Sequence, residues 1–118
     1  MEVKTHTVND INISELNSGN LIISNIEDAT DLVGNLYYSG SERVVIHERN
    51  ITPGFFDLKN KMAGEVLQKF SNYRIRLAIV GDFEAYTSES LKRFIHESNS
   101  GKHINFVSSL EVAIQRLS

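Results

Sequence analysis

The sequence contains no cysteine and only one proline among its 118 residues. The absence of cysteine excludes disulfide bonds, thiolate catalysis and cysteine-ligated zinc. The longest wholly aliphatic run, Leu77–Val80, is far too short to cross a bilayer. The polar stretch Met1–His6 is not followed by the apolar core of a signal peptide. We therefore expect a soluble cytoplasmic protein that does not associate with a membrane.

Positive charge is also sparse, with 12 Lys and Arg against 15 Asp and Glu, and a formal net charge of −3. No block of basic residues stands out, whereas nucleic-acid binding needs a concentrated positive patch. We expect no nucleic-acid partner. The hydrophobic fraction of 41% and charged fraction of 23% are typical of a globular protein. The length predicts a single domain spanning residues 1–118.

Alternating apolar residues predict several short strands. They cover residues 3–8, 11–16, 43–47, 74–80 and 103–107, and Asn9-Asp10 suits a tight hairpin turn between the first two. The run Leu21–Ile23 is either a separate strand or a continuation of the second strand past a bulge.

Apolar residues at helical spacing predict four helices between these strands. The first begins after a capping box formed by Ser24 and Glu27, and the last after one formed by Ser108 and Glu111. The second begins at Thr52, with Pro53 in the first helical position. The third spans residues 88–99.

This order of elements predicts an α/β fold. We expect a mixed, mostly parallel sheet with an N-terminal antiparallel hairpin and four helices mainly on one face. In the predicted strand 74–80, Arg74 and Arg76 share one face, whereas Ile75, Leu77 and Ile79 share the other. Such a half-buried pattern leaves the second face partly open or covered by a partner. We therefore expect a protein partner or a homodimer.

Several stretches resemble an uncharacterised bacterial family, domain of unknown function 4180. They are Ile51–Leu58, Ala63–Glu65, Asn72–Asp82 and Phe94–Asn99. The resemblance implies no known activity. The order of elements is also similar to the STAS domain (the sulfate-transporter and anti-sigma-factor-antagonist fold), whose members typically bind protein partners. In some STAS domains a Ser or Thr at the start of the second helix is phosphorylated, which implies Thr52 here, although the usual Asp-Ser pair is absent.

Polar residues follow the predicted parallel strands, where ligands tend to bind in such sheets. His47, Glu48, Thr52, Asp82 and Tyr86 are the candidates, and they could perform acid–base chemistry if they converge. The alternative is purely structural, with Thr52 as a helix cap and Asp82 as a turn residue. The four histidines show no H-E-x-x-H spacing, and no glycine-rich phosphate loop is present, so we expect neither a metal nor another cofactor.

Phe55-Phe56 is the most apolar part of the predicted start of the second helix. Core packing is the favoured interpretation, and a partner-binding patch is the alternative.

Two functions remain open at this point. The first is a non-enzymatic, regulatory protein-binding module of STAS-like architecture, which predicts a shallow surface at the strand ends. The alternative is a small enzyme or ligand-binding protein, which predicts a closed pocket where His47, Glu48 and Asp82 meet.

Overall fold

A five-stranded sheet forms the centre of the structure, a computed structural model that describes residues 1–118. The strands are β1 (Glu2–Val8), β2 (Ile11–Asn17), β3 (Arg43–His47), β4 (Arg76–Val80) and β5 (Ile104–Val107). They lie side by side in chain order, with β1 and β2 antiparallel and the other neighbours parallel. The predicted mixed sheet with an N-terminal hairpin is confirmed.

The hairpin turn has the geometry that its two residues favour. Asn9 and Asp10 both have positive φ angles, 51° and 66°. A two-residue turn of this kind matches the twist of the flanking strands, and Asn and Asp tolerate the left-handed conformation better than other side chains. The turn aligns Val8 with Ile11 and so sets the register of the whole hairpin.

Four helices pack on the two faces of the sheet. They are α1 (Ile26–Tyr38), α2 (Met62–Asn72), α3 (Glu89–Asn99) and α4 (Leu110–Leu117). The first three cover one face and form the larger core with alternate sheet residues such as Val44 and Leu77. α4 alone covers the other face, so the prediction of helices mainly on one face is confirmed. None of the helices combines the length and the apolar character needed to span a membrane.

The face that α4 covers is only partly closed. α4 lies over β3, β4 and β5, where Ala113 and Leu117 pack against Val45 and Ala78. At the margins of this face, Ile11 of β2 and Val80 of β4 are only partly buried. The alternation in β4 thus reflects one heavily covered face and one lightly covered face.

Two helices are capped by the residue that follows the predicted cap. Asn25, not Ser24, caps α1 by accepting a hydrogen bond from the Asp28 backbone N–H at 2.8 Å. Ser109, not Ser108, caps α4. A cap must directly precede the first helical residue, and Asn and Ser perform this role equally well, so both capping-box predictions were wrong by one position.

The predicted start of the second helix at Thr52 was also wrong. Residues Pro53–Phe56 and Leu58–Asn60 form short 3₁₀ turns, and α2 begins only at Met62. The Asp57 carboxylate accepts a hydrogen bond from the Lys59 N–H, and the Asn60 side chain accepts one from the Met62 N–H. Such local side-chain bonds compete with helical hydrogen bonding, which explains the delay.

Smaller differences concern the short apolar run and β4. Ile23 forms a single parallel bridge with Ile51, so residues 21–23 are neither a full strand nor part of β2. β4 begins at Arg76 because Arg74 has a φ of 57°, which interrupts an extended strand.

Replacing Phe70 by Ala should destabilise the fold by about 3–5 kcal/mol, because the removal of a buried aromatic ring leaves a cavity. Phe70 lies on the inner side of α2 and is 0% exposed. Glu65→Ala, on the exposed side of the same helix, is the matched control and should change stability by less than about 0.5 kcal/mol. Urea unfolding of both variants measures the difference, and equal effects would contradict the assigned orientation of α2.

Candidate functional site

The Glu48 carboxylate connects the carboxyl end of β3 to the loop that follows β4. One oxygen, Oε1, accepts a hydrogen bond from the Asp82 backbone N–H at 3.1 Å. The other, Oε2, accepts one from the Tyr86 hydroxyl. The structure therefore brings together three of the residues predicted from the sequence, with Glu48 at the centre.

This arrangement leaves little capacity for acid–base chemistry. Burial, and then the hydrogen bond to Glu48, raise the pKa of Tyr86, so its hydroxyl stays protonated and acts as a donor. Both oxygens of Glu48 already have partners. The three residues thus fix the loop to the end of the neighbouring strand.

Gly81 is required by the position of Glu48. A Cβ atom at Gly81 would collide with Glu48 Oε1 and lie 2.6 Å from Glu48 Cβ, which is closer than non-bonded carbon atoms approach each other. In the sequence, Gly81 is marked only as the residue that follows the predicted strand 74–80. The signal that could have marked it is a glycine directly after a parallel strand, where close approach of a neighbour is common.

His47 does not join the Glu48 group. Its Nε2 lies 2.7 Å from Glu15 Oε2, and His6 Nε2 lies 2.8 Å from Glu15 Oε1. The pairing of Glu15 with Val45 and the strand alternation put these side chains on the sheet face that carries α4. His47 and Glu48 therefore do not converge in the way that the alternative function requires, because His47 bonds to Glu15 on the face of α4 whereas Glu48 bonds to the loop after β4.

Glu15 and His6 were missed by sequence analysis, although a signal existed. Glu15 is only 5% exposed and lies in a strand whose neighbouring residues are also buried. A charged residue at an inward-facing position is seldom buried without a partner, and the facing strand of the hairpin contains a histidine. The histidine from β3 becomes visible only in the folded chain.

The two imidazoles keep the buried carboxylate ionised. Burial on its own raises the pKa of Glu15, but hydrogen bonds from His6 and His47 and their charge outweigh it, so the pKa lies below its ordinary value. An ionised carboxylate can only accept hydrogen bonds, so each Nε2 carries the donated proton. We call this group the Glu15 triad.

The remaining predicted residues support the loop rather than form a site. Thr52 is half-buried, its side chain caps no helix, and its backbone N–H donates to the Ile23 carbonyl. No α-helix N-terminus is present there to stabilise a phosphate. Phe55 and Phe56 are buried, which confirms core packing and contradicts the exposed patch. Phe56 also lies against the ring of Tyr86, with 5.2 Å between centroids.

An open cleft lies beyond the carboxyl ends of β4 and β5, between α3 and α4. It has a volume of about 630 Å³. Its inner surface is largely apolar, formed by Phe83, Ile95, Phe106, Val107 and Val112. Its polar residues are Asp82, Glu84, Asn99, Ser108 and Arg116. We call it the α3–α4 cleft; of the residues predicted from the sequence, only Asp82 lines it.

No group of three or more His, Asp or Glu side chains in the chain is arranged to hold a metal ion.

Gly81→Ala should destabilise the protein by about 1–3 kcal/mol, since the added methyl group forces Glu48 away from its partners. Gly64→Ala is the control, because nothing lies within 4 Å of the added atom. Gly64 is exposed in the first turn of α2, where its replacement by Ala should instead stabilise the protein by about 0.5–1 kcal/mol. Thermal unfolding distinguishes these opposite signs, and an unaffected Gly81→Ala variant would contradict the close contact.

Glu15→Gln should cost about 1–3 kcal/mol at neutral pH, because an amide cannot accept from both imidazoles. The lowered pKa of Glu15 means that its contribution is complete above the ordinary glutamate pKa and is lost as the pH falls through the folded-state value. The stability gap between the wild type and Glu15→Gln should therefore narrow below about pH 4.5.

Urea unfolding between pH 7 and pH 3 measures this gap. Glu84→Gln, at an exposed carboxylate without an ion pair, is the matched control. A constant gap for Glu15→Gln across the pH range would contradict the role given to the triad.

Comparison with known proteins matches residues 8–117 to a family model described as a domain of unknown function (DUF4180). No curated protein and no solved structure matches the chain. The match includes every helix and strand except most of β1. It therefore spans the Glu48 group and the α3–α4 cleft, and the chain belongs to the DUF4180 family.

Proposed function

We propose that this protein is a non-enzymatic, regulatory binding module that holds a short segment of a partner protein in the α3–α4 cleft. The observation that carries the proposal is the cleft itself, an open groove with an apolar floor at the strand ends. Ligands commonly bind at this edge of a sheet with parallel strands.

The state of the acid–base residues favours binding over catalysis. Glu48 is hydrogen-bonded through both oxygens, and His47 bonds through Nε2 to Glu15 on a face of the sheet. A general base needs a free position within hydrogen-bond reach of its substrate. His47, Glu48 and Asp82 do not surround a common cavity, which is what the alternative function requires.

The lining of the cleft suggests the chemistry of the segment. Phe83, Phe106 and Val112 form a floor suited to an apolar side chain. Asp82 and Glu84 are exposed and take part in no ion pair, so they can attract a basic residue. The partner segment should therefore carry an apolar residue next to a lysine or arginine.

A STAS-like architecture and a cytoplasmic location are part of this proposal. A protein partner, rather than a second copy of the chain, is its preferred ligand. The order of the elements and the binding habits of STAS domains support this choice, and the acidic groups of the cleft support a basic partner.

Val112→Glu tests the proposal, because it puts a charge in the apolar floor. Peptides selected by the wild-type protein from a random 12-residue phage library should share an apolar residue beside a basic one. Their affinity, measured by calorimetry, should fall at least about tenfold in Val112→Glu, a loss of about 1.4 kcal/mol.

Tyr38→Glu is the control, since Tyr38 is 95% exposed at the far end of α1. This variant should keep the wild-type affinity. Failure to select any peptide, or equal binding by the Val112→Glu variant, would contradict a binding role for the cleft.

A further inference from the structure

A second cleft lies at the amino ends of β4 and β5. It has a volume of about 370 Å³, and no apolar side chain lines it. The residues that matter are Arg76 of β4, Lys102 and Asn105 at the start of β5, and Arg116 of α4. We call it the basic cleft.

The positive charges of the basic cleft have no carboxylate partners. The chain contains three ion pairs, and none involves Arg76, Lys102 or Arg116. A further cation, Arg43, lies directly opposite Arg76 in the parallel pairing of β3 and β4. Like charges facing each other across strands destabilise a sheet. Burial, and then the charge of Arg43, lower the pKa of Arg76, as expected for a cation without a counterion.

The C-terminal ends of two helices offset only part of this positive charge. Arg76 Nη2 donates to the Arg116 carbonyl at 2.7 Å in the last turn of α4, and Arg116 donates to the Asn99 carbonyl at the end of α3. Each helix C-terminus is equivalent to roughly half a negative charge, so the two together offset about one cation. A net positive charge remains in the cleft.

Unpartnered polar atoms lie at the same end of the strands, and one of them belongs to a residue that lines the basic cleft. Four buried side-chain atoms in the chain have no hydrogen-bond partner, and three of them are Arg43 Nε, His103 Nε2 and Asn105 Oδ1. Asn105 is 0% exposed and lines the cleft; its Nδ2 donates to the Gly101 carbonyl at 3.0 Å, but its Oδ1 accepts nothing. Such atoms are rare in folded proteins because each costs free energy.

We propose that the basic cleft binds the phosphate group of a small phosphorylated polyol or sugar. Guanidinium and ammonium groups are the usual partners of phosphate oxygens, and the three cations supply both kinds. The free Asn105 Oδ1 needs a hydrogen-bond donor, which a hydroxyl next to the phosphate provides. The basic cleft shares Asn99 and Arg116 with the α3–α4 cleft, but Arg76, Lys102 and Asn105 line only the basic cleft. The proposal rests on these three residues and does not depend on the function proposed for the α3–α4 cleft.

Glycerol 3-phosphate is a suitable probe because it carries a phosphate and two hydroxyls. Titration into the ¹⁵N-labelled protein at constant ionic strength should give saturable NMR shifts in residues 99–105 and 115–118. Inorganic phosphate should bind the same residues more weakly, because it lacks the hydroxyls. Lys102→Gln should weaken glycerol 3-phosphate about tenfold, the loss expected for one charge-assisted hydrogen bond.

Lys59→Gln is the matched control, an exposed lysine outside the cleft that should leave the affinity unchanged. Lys102 is itself exposed, so its replacement should not prevent folding, and the spectrum of the free variant verifies this. The absence of saturable shifts with either probe would overturn the proposal. An equal loss in Lys59→Gln would also overturn it, because the attraction would then be a general effect of charge.

Discussion

Burial of the parallel strands on both faces is the constraint from which the rest of the structure follows. Val44, Val45 and Ile46 of β3 are each 0% exposed, although their side chains alternate between the two sides of the sheet. Parallel strands are stable when both faces are covered, so three helices on one side are not enough. The two-turn helix α4 covers the second face, and the antiparallel hairpin at the edge of the sheet needs less cover than the parallel strands.

The polar features lie where this covering ends. The Glu15 triad bridges β1, β2 and β3, next to the area that α4 covers. The Glu48 group and the α3–α4 cleft lie at the carboxyl ends of the strands, and the basic cleft lies at the amino ends. A buried carboxylate is tolerated only with partners, and here the two imidazoles provide them. The two cores on the faces of the sheet are thus apolar, and the buried polar residues lie beside them with hydrogen-bond partners.

Local patterns predicted those parts of the fold that depend on neighbours in sequence. The Asn9-Asp10 turn, the strand at residues 43–47 and the helix at residues 88–99 need only neighbouring residues, and all three are present in the structure, the helix beginning at Glu89 after a Ser88 cap. The start of α2 was misplaced because Pro53 resembles a first helical residue. Pro53 does open a short 3₁₀ turn, but Asp57 and Asn60 then bond to the backbone and delay the α-helix to Met62.

Hydrophobic period and turn chemistry are local properties, and they were enough to predict the α/β fold class and the order of the helices and strands. They also favoured the burial of Phe55 and Phe56 over an exposed patch. The hydrogen bond of His47 to Glu15 depends on the packing of the folded chain, since the two residues lie 32 positions apart. The same holds for the fit of Gly81 against Glu48 and for the gathering of Arg43, Arg76 and Asn105. These contacts depend on which strands become neighbours and which face each helix covers, and that choice is made by the packing of the whole chain.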